Sequence, residues 1–396
     1  MGIEPMLNQY SCDQPNVFVR ESRVNAHLPG VSWIKDQSSL ATSGIGRGMQ
    51  DVVAAVGEFL ERRHFFTDVE PLKTARLTAI FNDDECSSWA HALSQCGNSP
   101  VGDVLNHDFP VTEVVNLDCQ KRLVPTAAIK IGRIQKHQSA DFLIRRDTCG
   151  CSSHALATDA LWAAVREQVE RQSLLVFWLS GVAPNRIDRE LWGSALTLDK
   201  PLARKLLREG TLAFFDITLR DAPGYAIACV FTGAGEHPVV FCPGLSYDTS
   251  FSAAVRKSFL EMWQNYGFLL NCSRSTKYVE NLMDAYQLNF VSANHPAAAD
   301  DFINGCVKNP HASRPYTTTY SRESVMDFMR TLSSNIYIYL SHREYYGKPV
   351  SFCKIFSPDF FLNLDTSKNC NLNNLISRGY IDHFAATRIS KMVPFP

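Results

Sequence analysis

No Cys-x-x-Cys pair occurs in this chain, although it carries 12 cysteines. Structural zinc sites usually need two such paired knuckles with His or Cys partners. That class is set aside, and most of the thiols read as small buried hydrophobes. Cys149 and Cys151 form the tightest pair, just before a Glu-rich segment. An excess of one charge is missing as well, since 39 Lys and Arg stand against 40 Asp and Glu. Such a balance creates no long-range field to gather nucleic acid or an anionic membrane. No run approaches the roughly 18 apolar residues that a membrane-spanning helix requires. The opening MGIEPMLNQYSCDQ has no basic flank leading into an apolar segment, as a secretory signal would. It also offers no Ser or Thr at position six for myristoylation. The expectation is a soluble, cytoplasmic protein with neither nucleic-acid nor membrane partners. The Walker A pattern and the protein-kinase signatures are absent too, so any phosphate site here is unconventional.

What is present is apolar mass. With 396 residues, 45% hydrophobic and 11% aromatic, the chain can bury a large core. Length alone favours two or three domains as a soft prior. No Ser/Gly linker or low-complexity tract divides the chain, however, which favours one α+β unit over 1–396 with helices packed on sheets. Residues 1–45 are rich in Asn, Ser, Pro and Gly and predict an irregular lead-in. The turn SGIGRG at 43–48 precedes a helix over about 49–66. Strands are expected at 74–82, 122–133, 212–218, 225–231, 237–244, 335–341 and 350–356. Further helices are expected at about 157–179, 201–209, 249–270 and 321–333.

Two stretches nearly repeat each other: VGEFLERR at 56–63 and VREQVERQ at 165–172. A third, FLEMWQNY at 259–266, keeps the first Glu and puts Gln at the second place. On a helix, positions i, i+3 and i+4 share one face. Glu58, Glu61 and Arg62 therefore point together, as do Glu167, Glu170 and Arg171, and as do Glu261 and Gln264. Solvated Glu–Arg pairs, contributing a few tenths of a kcal/mol each, would explain any one copy. Two copies are harder to dismiss, because a single chance ExxER in this length has odds of about 0.1 at ordinary residue frequencies. Each copy also sits among apolar residues such as Phe59 and Leu60, or Leu174 and Leu175. Carboxylates turned inward from three helices repel one another and lose hydration unless cations join them. Mg²⁺ prefers oxygen ligands and is commonly held by a few carboxylates plus substrate phosphates. Arg adds a planar fork for phosphate oxygens. The residues by themselves point to a magnesium–phosphate enzyme and go no further.

The order of these motifs carries a resemblance. A glycine-rich turn, two ExxER helices, an ExxQ helix and a proline-containing end resemble the YcaO family, from about Gly44 to Pro396. The stretches ERRHFF, RDTCGCSSH, ERQSLL, FDITL, GLSY, SPDFF and KMVPFP are similar to the YcaO subunits of azole-forming microcin synthetases. The resemblance implies the YcaO fold, with helices on mixed or antiparallel sheets around an ATP cleft. It implies ATP-dependent cyclodehydration of Ser, Thr or Cys in a ribosomally made precursor peptide, giving oxazolines and thiazolines. Phosphorylation of the backbone amide oxygen would turn a poor leaving group into phosphate.

By matching motifs, the resemblance assigns magnesium to Glu58, Glu61, Asp159, Glu167, Glu170 and Glu261. Arg62, Ser152, Arg171, Lys257 and Gln264 fall on nucleotide-contacting positions, and Arg47 on a weaker one. Lys257 stands where many relatives have Arg, so it neutralises phosphate without a bidentate grip. Ala54 replaces a Ser that often precedes the first Glu, and Arg47 replaces a Lys in a shifted register. The YcaO pattern fills the chain and leaves no separate leader-peptide-binding domain. Partners are therefore expected in a hetero-oligomeric synthetase: a precursor peptide with its leader, an E1-like leader-binding subunit, and an FMN-dependent azoline dehydrogenase. FMN and zinc would belong to those partners, while ATP and Mg²⁺ belong here. Two other readings are peptide thioamidation, which exchanges oxygen for sulfur, and a non-catalytic scaffold, against which the intact acidic sets weigh.

His64, His154 and His342 are acid–base candidates by type, but a lone His is more often structural. The end VPFP, a frayed tail by default, is in the family an element beside the active site, and the carboxylate of Pro396 is the expected catalytic group. Lengthening the chain by a few residues beyond Pro396 is expected to abolish heterocycle formation while the protein still folds. Full activity of the lengthened chain, read by mass spectrometry of the peptide, would remove the role.

Overall fold

The computed structural model describes residues 17–22, 28–36, 41–132, 142, 148–181, 185–275, 279–280, 282, 284–303, 315–345, 347–368, 370–380, 382, 384 and 386–395. In it, the apolar run 225–231 is buried on both faces. Side chains alternate across a strand, so Ala226, Ala228 and Val230 enter one apolar cluster and Tyr225, Ile227, Cys229 and Phe231 another. That double burial explains why the run shows no polar alternation.

The chain begins with strands β1 (Val17–Ser22), β2 (Gly30–Asp36) and β3 (Ala41–Gly46), an antiparallel three-stranded sheet. Helix α1 (Gln50–Arg63) follows and ends in a π-helical turn, His64–Asp68. Then come β4 (Lys73–Ala75), α2 (Leu77–Ile80), α3 (Asp83–Gly97), α4 (Val101–Asn106), β5 (Phe109–Asn116), β6 (Lys121–Pro125) and β7 (Cys151–His154). Helix α5 (Ala157–Ser180) leads to β8 (Asn185–Arg186), α6 (Arg189–Ala195), α7 (Lys200–Glu209), β9 (Gly210–Asp216), β10 (Tyr225–Gly233) and β11 (Phe241–Asp248). Helix α8 (Phe251–Arg274), three helices at 285–292, 296–303 and 322–332, and the hairpin β12 (Tyr337–Tyr345) and β13 (Lys348–Phe356) complete the main elements.

Two larger antiparallel sheets organise the interior. One has the order β11-β10-β9-β8; the other has β4-β5-β12-β13-β7, with β6 paired to β5. Helix α5 lies between them, packing Val165 and Val169 with Ala228 and Leu245 of one sheet and with Cys353 and Ile355 of the other. Its whole C-terminal half, 172–180, is buried, as expected of a helix apolar on every side. Helix α8 covers the opposite face of the first sheet, through Phe259 and Met262 against Tyr225, Ile227 and Cys242. Helix α1, with α3, covers the opposite face of the second, through Phe59 and Leu60 against Phe352 and Tyr337.

Several expectations are corrected here. The lead-in is not irregular over its described residues. Strands β2 and β3 lie against α1, and Gln264 of α8 donates to both the carbonyl (3.0 Å) and the hydroxyl (2.7 Å) of Ser43 in β3. The small sheet thereby bridges α1 and α8. The strand expected at 74–82 stops at Ala75, because Leu77–Ile80 turn into the short helix α2 and Asn82 then accepts from the Glu85 amide (2.9 Å) and caps α3. The strand expected at 122–133 ends at Pro125, which has no amide hydrogen for the ladder, and a 3₁₀ turn follows. Strand β11 runs to Asp248, past the expected limit of 244, and so takes in GLSY. The first helix gives way to its π turn at His64 rather than continuing to 66.

Two glycines allow the close helix–strand contacts. A Cβ on Gly44 of β3 would stand 2.1 Å from the Ala55 nitrogen of α1, and one on Gly244 of β11 would stand 2.2 Å from the Met262 nitrogen of α8. Backbone cannot yield at such distances. Gly244→Ala should therefore destabilise the protein by about 3 kcal/mol or more in urea unfolding, as overpacking does. Gly193→Ala, with nothing within 4 Å of the added carbon, should be neutral or mildly stabilising. Equal effects of the two would refute the contact.

Candidate active site

The three repeats do converge. Glu58, Glu61, Glu167, Glu170 and Glu261 are half-buried, each keeping part of its surface open beside buried neighbours such as Phe59, Leu60, Val169 and Met262, so the acids line a cleft. Arg62 donates to Glu58 from Nε (3.1 Å), with Nη2 at 2.9 Å. Arg171 sits between Glu167 and Glu170, its Nε 3.6 and 3.8 Å from their oxygens, and the charge of Glu261 reaches it from α8.

Strand β11 sets the positions of two of these acids. It is the edge of its sheet, and its outward amides are met by site carboxylates rather than by another strand. The Leu245 amide donates to Glu261 Oε2 (2.9 Å) and the Tyr247 amide to Glu170 Oε2 (2.9 Å). Alternate residues of one strand thus hold one acid from α8 and one from α5. GLSY is this device, and its register on β11 was the signal missed in the sequence.

The electrostatics follow from crowding. Enclosure by protein, and then the Glu58 carboxylate, raise Glu61 from 4.5 to about 8. Enclosure, and then Glu170, raise Glu261 to about 8. Glu170 is also raised by enclosure, although Arg171 and the Tyr247 amide oppose the rise. Burial works against the charge of Arg171, but Glu170, Glu167 and Glu261 outweigh it and hold the guanidinium firmly charged. Lys354 of β13 was not expected here. It is buried on the strand face that looks toward α1, and its charge acts on Glu61.

The other expected residues lie around this centre. Lys257 donates to Asp248 (2.6 Å) at the cleft rim. Ser152 is buried, and its hydroxyl donates to the Ala160 carbonyl (2.6 Å), tying β7 to the start of α5. Gln264 is engaged with Ser43, as above. Asp159 faces Arg322 (3.6 Å) and His154 (3.7 Å), two turns from Glu167. Arg47 donates to the Leu198 carbonyl (3.0 Å) and to the fully buried Asp199 (2.9 Å), which also accepts from Arg256 (2.9 Å). Its guanidinium thus ties the turn before α1 to the segment ahead of α7. His64 stacks on Phe352 at 4.1 Å in the core, and His342 lies 3.0 Å from Ser351 in the β12–β13 hairpin. His154 remains half-exposed beside Asp159.

The tail is anchored. The Lys391 carbonyl accepts from Trp178 of α5 (3.1 Å) and from Thr366 (2.9 Å), and the Val393 carbonyl accepts from Asn289 (2.9 Å). Phe395 is buried with its ring 5.7 Å from the Arg171 guanidinium. Pro396 itself lies outside the described residues.

The donor set fits a hard cation with phosphates. It consists of carboxylate oxygens in excess over Arg62, Arg171 and Lys354, and Nη1 of Arg171 is a buried donor without a hydrogen-bond partner. Among the described residues no three His, Cys, Asp or Glu side chains already surround one point at ligand distance. A few carboxylates completed by substrate phosphates are the usual form of a magnesium site.

A protonated, raised acid implies a definite pH response. Glu61 and Glu261 hold protons in the folded protein that the unfolded chain releases, so their contribution to stability is complete below 4.5 and lost as pH rises to about 8. The melting temperature of the ligand-free protein should fall across that window. Glu261→Gln, which keeps an oxygen for the Leu245 amide, should flatten the fall; an unchanged slope would contradict the raised acid.

Comparison with known proteins agrees with this geometry. The family model for the YcaO cyclodehydratases, described as ATP- and Mg²⁺-binding, matches residues 46–360. The microcin B17-processing protein McbD of Escherichia coli is 30% identical over 402 residues, covering 99% of this chain and 100% of McbD. In the solved E. coli microcin synthetase McbBCD complex, a chain superposes with a TM-score of 0.87 at 30% identity, with 96% of each chain covered. The same complex with pro-MccB17 bound gives a TM-score of 0.87 at 29% identity and the same coverage. With three acid-bearing helices closing on Arg171 in the fold of those structures, this chain belongs to the YcaO family of ATP- and Mg²⁺-binding cyclodehydratases.

Proposed function

We propose that this protein is the cyclodehydratase subunit of an azole-forming microcin synthetase, converting Ser, Thr or Cys of a ribosomally made precursor peptide to oxazolines and thiazolines. The observation that carries the reading is the convergence of Glu58, Glu61, Glu167, Glu170 and Glu261 around Arg171, with Phe395 of the tail against its guanidinium. A scaffold subunit would gain nothing from crowding acids at such electrostatic cost.

In the reaction, the side-chain oxygen or sulfur attacks the preceding carbonyl carbon and gives up its proton to solvent. The resulting oxygen takes the γ-phosphoryl group of ATP, forming a P–O bond as the bond to ADP breaks. The nitrogen lone pair then closes the C=N bond, phosphate departs with the former amide oxygen, and the N–H proton is lost. Glu58, Glu61, Glu167, Glu170 and Glu261 would hold Mg²⁺, which supplies charge neutralisation on the phosphate oxygens. Arg171 and Arg62 stabilise negative charge on the transferred group, with Lys257 at the rim. Ser152 and Gln264 keep α5 and α8 in place for this contact, and Asp159 lies further along the α5 stripe. The tail segment that carries Phe395 positions the peptide beside Arg171.

The assembly proposed is a cytoplasmic hetero-oligomer over one catalytic domain. An E1-like subunit binds the leader, and an FMN-dependent subunit oxidises azolines to azoles. FMN and zinc are assigned to those partners. The similarity to McbD, and to the McbBCD complex with pro-MccB17 bound, supports this arrangement.

Glu61→Ala and Glu170→Ala should each lower peptide-dependent ATP consumption by at least about a hundredfold and leave the peptide without its losses of 18 Da, as the removal of a charge-stabilising group does. Retention of both activities in either variant would refute the magnesium assignment.

A further inference from the structure

Asp248, the last residue of β11, holds two cations on one oxygen. Oδ2 accepts from Lys257 Nζ of α8 at 2.6 Å and from Arg166 Nη1 of α5 at 3.2 Å. It stands next to Tyr247, whose amide grips Glu170, so the group belongs to the cleft rim. On α5, Arg166 lies on the stripe Asp159, Ala163, Arg166, Glu170, with helical spacings of four, three and four. It is one turn before the acid that faces Arg171. Arg166 is only 25% exposed, and its Nε is buried without a hydrogen-bond partner. Trp162 lies against the guanidinium, 5.9 Å from ring centre to Cζ, and limits its rotation.

Asp248 accepts one bond from each cation and leaves the remaining donors of the guanidinium fork unmatched. A guanidinium fork matches two oxygens in a plane, and here it meets one. The result is an under-coordinated fork with an unused donor, beside Glu170, whose charge both cations also reach, and bridging the two helices that form the cleft. A polyphosphate, with several oxygens and more charge than Asp248, fits the pair better.

We propose that Arg166 is a phosphate-binding residue of the nucleotide site, and that Asp248 is an internal stand-in for phosphate that yields Arg166 and Lys257 when a nucleoside triphosphate enters. This rests on the cleft being the nucleotide site. It adds a cation outside the ExxER pattern and a competing anion within the protein.

Calorimetric titration with a non-hydrolysable ATP analogue and Mg²⁺, set beside AMP, tests both parts. Arg166→Met should weaken the triphosphate analogue at least about tenfold, the loss of one charge-assisted contact, and leave AMP unchanged. Arg166→Lys should recover part of the loss. Asp248→Asn should bind the analogue several-fold more tightly, because the competing charge is gone while an acceptor remains. That gain should vanish in the double variant Asp248→Asn/Arg166→Met. An Asp248 that merely supports the fold predicts weaker binding in Asp248→Asn, and that result would overturn the stand-in role. Unchanged affinity in Arg166→Met, with affinity lost in Glu61→Ala, would overturn Arg166 and leave the cleft standing. Unchanged affinity in both would overturn the cleft reading and this proposal with it. If Arg166→Met fails to fold, Arg166→Lys and Asp248→Asn decide the matter.

Discussion

The structure depends on a repulsion that it does not relieve by itself. Five carboxylates from three helices crowd around Arg171 and Arg62, and two of them, Glu61 and Glu261, are pushed to about 8 by enclosure and then by the neighbouring acids Glu58 and Glu170. Exposed Glu–Arg pairs would contribute only a few tenths of a kcal/mol, whereas enclosed like charges cost several. The protein spends stability here. An arrangement of this kind persists where a ligand of opposite charge recovers the cost, as Mg²⁺ with polyphosphate does.

Backbone holds the acids against that repulsion. The edge strand β11 offers amides at Leu245 and Tyr247, and each takes one carboxylate. An edge strand left open invites pairing with another chain; here the edge is filled by the site itself. Gly244 lets the strand lie against α8, and Gly44 does the same for β3 and α1. The N-terminal sheet then joins α1 to α8 through Ser43 and Gln264. Fold and site therefore share their interactions, and few of the polar contacts near Arg171 serve only one of them.

The tail joins the same system. Trp178, at the buried end of α5, donates to Lys391, and Phe395 reaches back to Arg171 on the same helix. Helix α5 thus carries both the acids and the anchor of the segment that lies over them. Its burial between two sheets, rather than on one, makes it stiff enough to serve as the common reference.

The acid-bearing helices were legible because their period and their motif agree: ExxER places its charges on one face at any helical register. Their inward direction was legible from the apolar neighbours, and the family from the order of motifs. Arg166, Lys354 and Asp248 were not legible, since nothing in their local sequence distinguishes them from ordinary surface charge. Residues 17–46 look irregular because their strands are short, rich in Ser and Gly, and stabilised by α1 and α8 rather than by their own propensity. The partner of Arg47 was not legible for a related reason, as Asp199 lies 152 residues away. By itself, then, the sequence determined which helices carry charge and at what spacing, because a helix encodes its faces locally. Only the tertiary structure decided which charges meet, which are diverted to the scaffold, and which backbone amides hold them. Those contacts join residues distant in the chain, and their cost or gain exists only once water has been excluded around them.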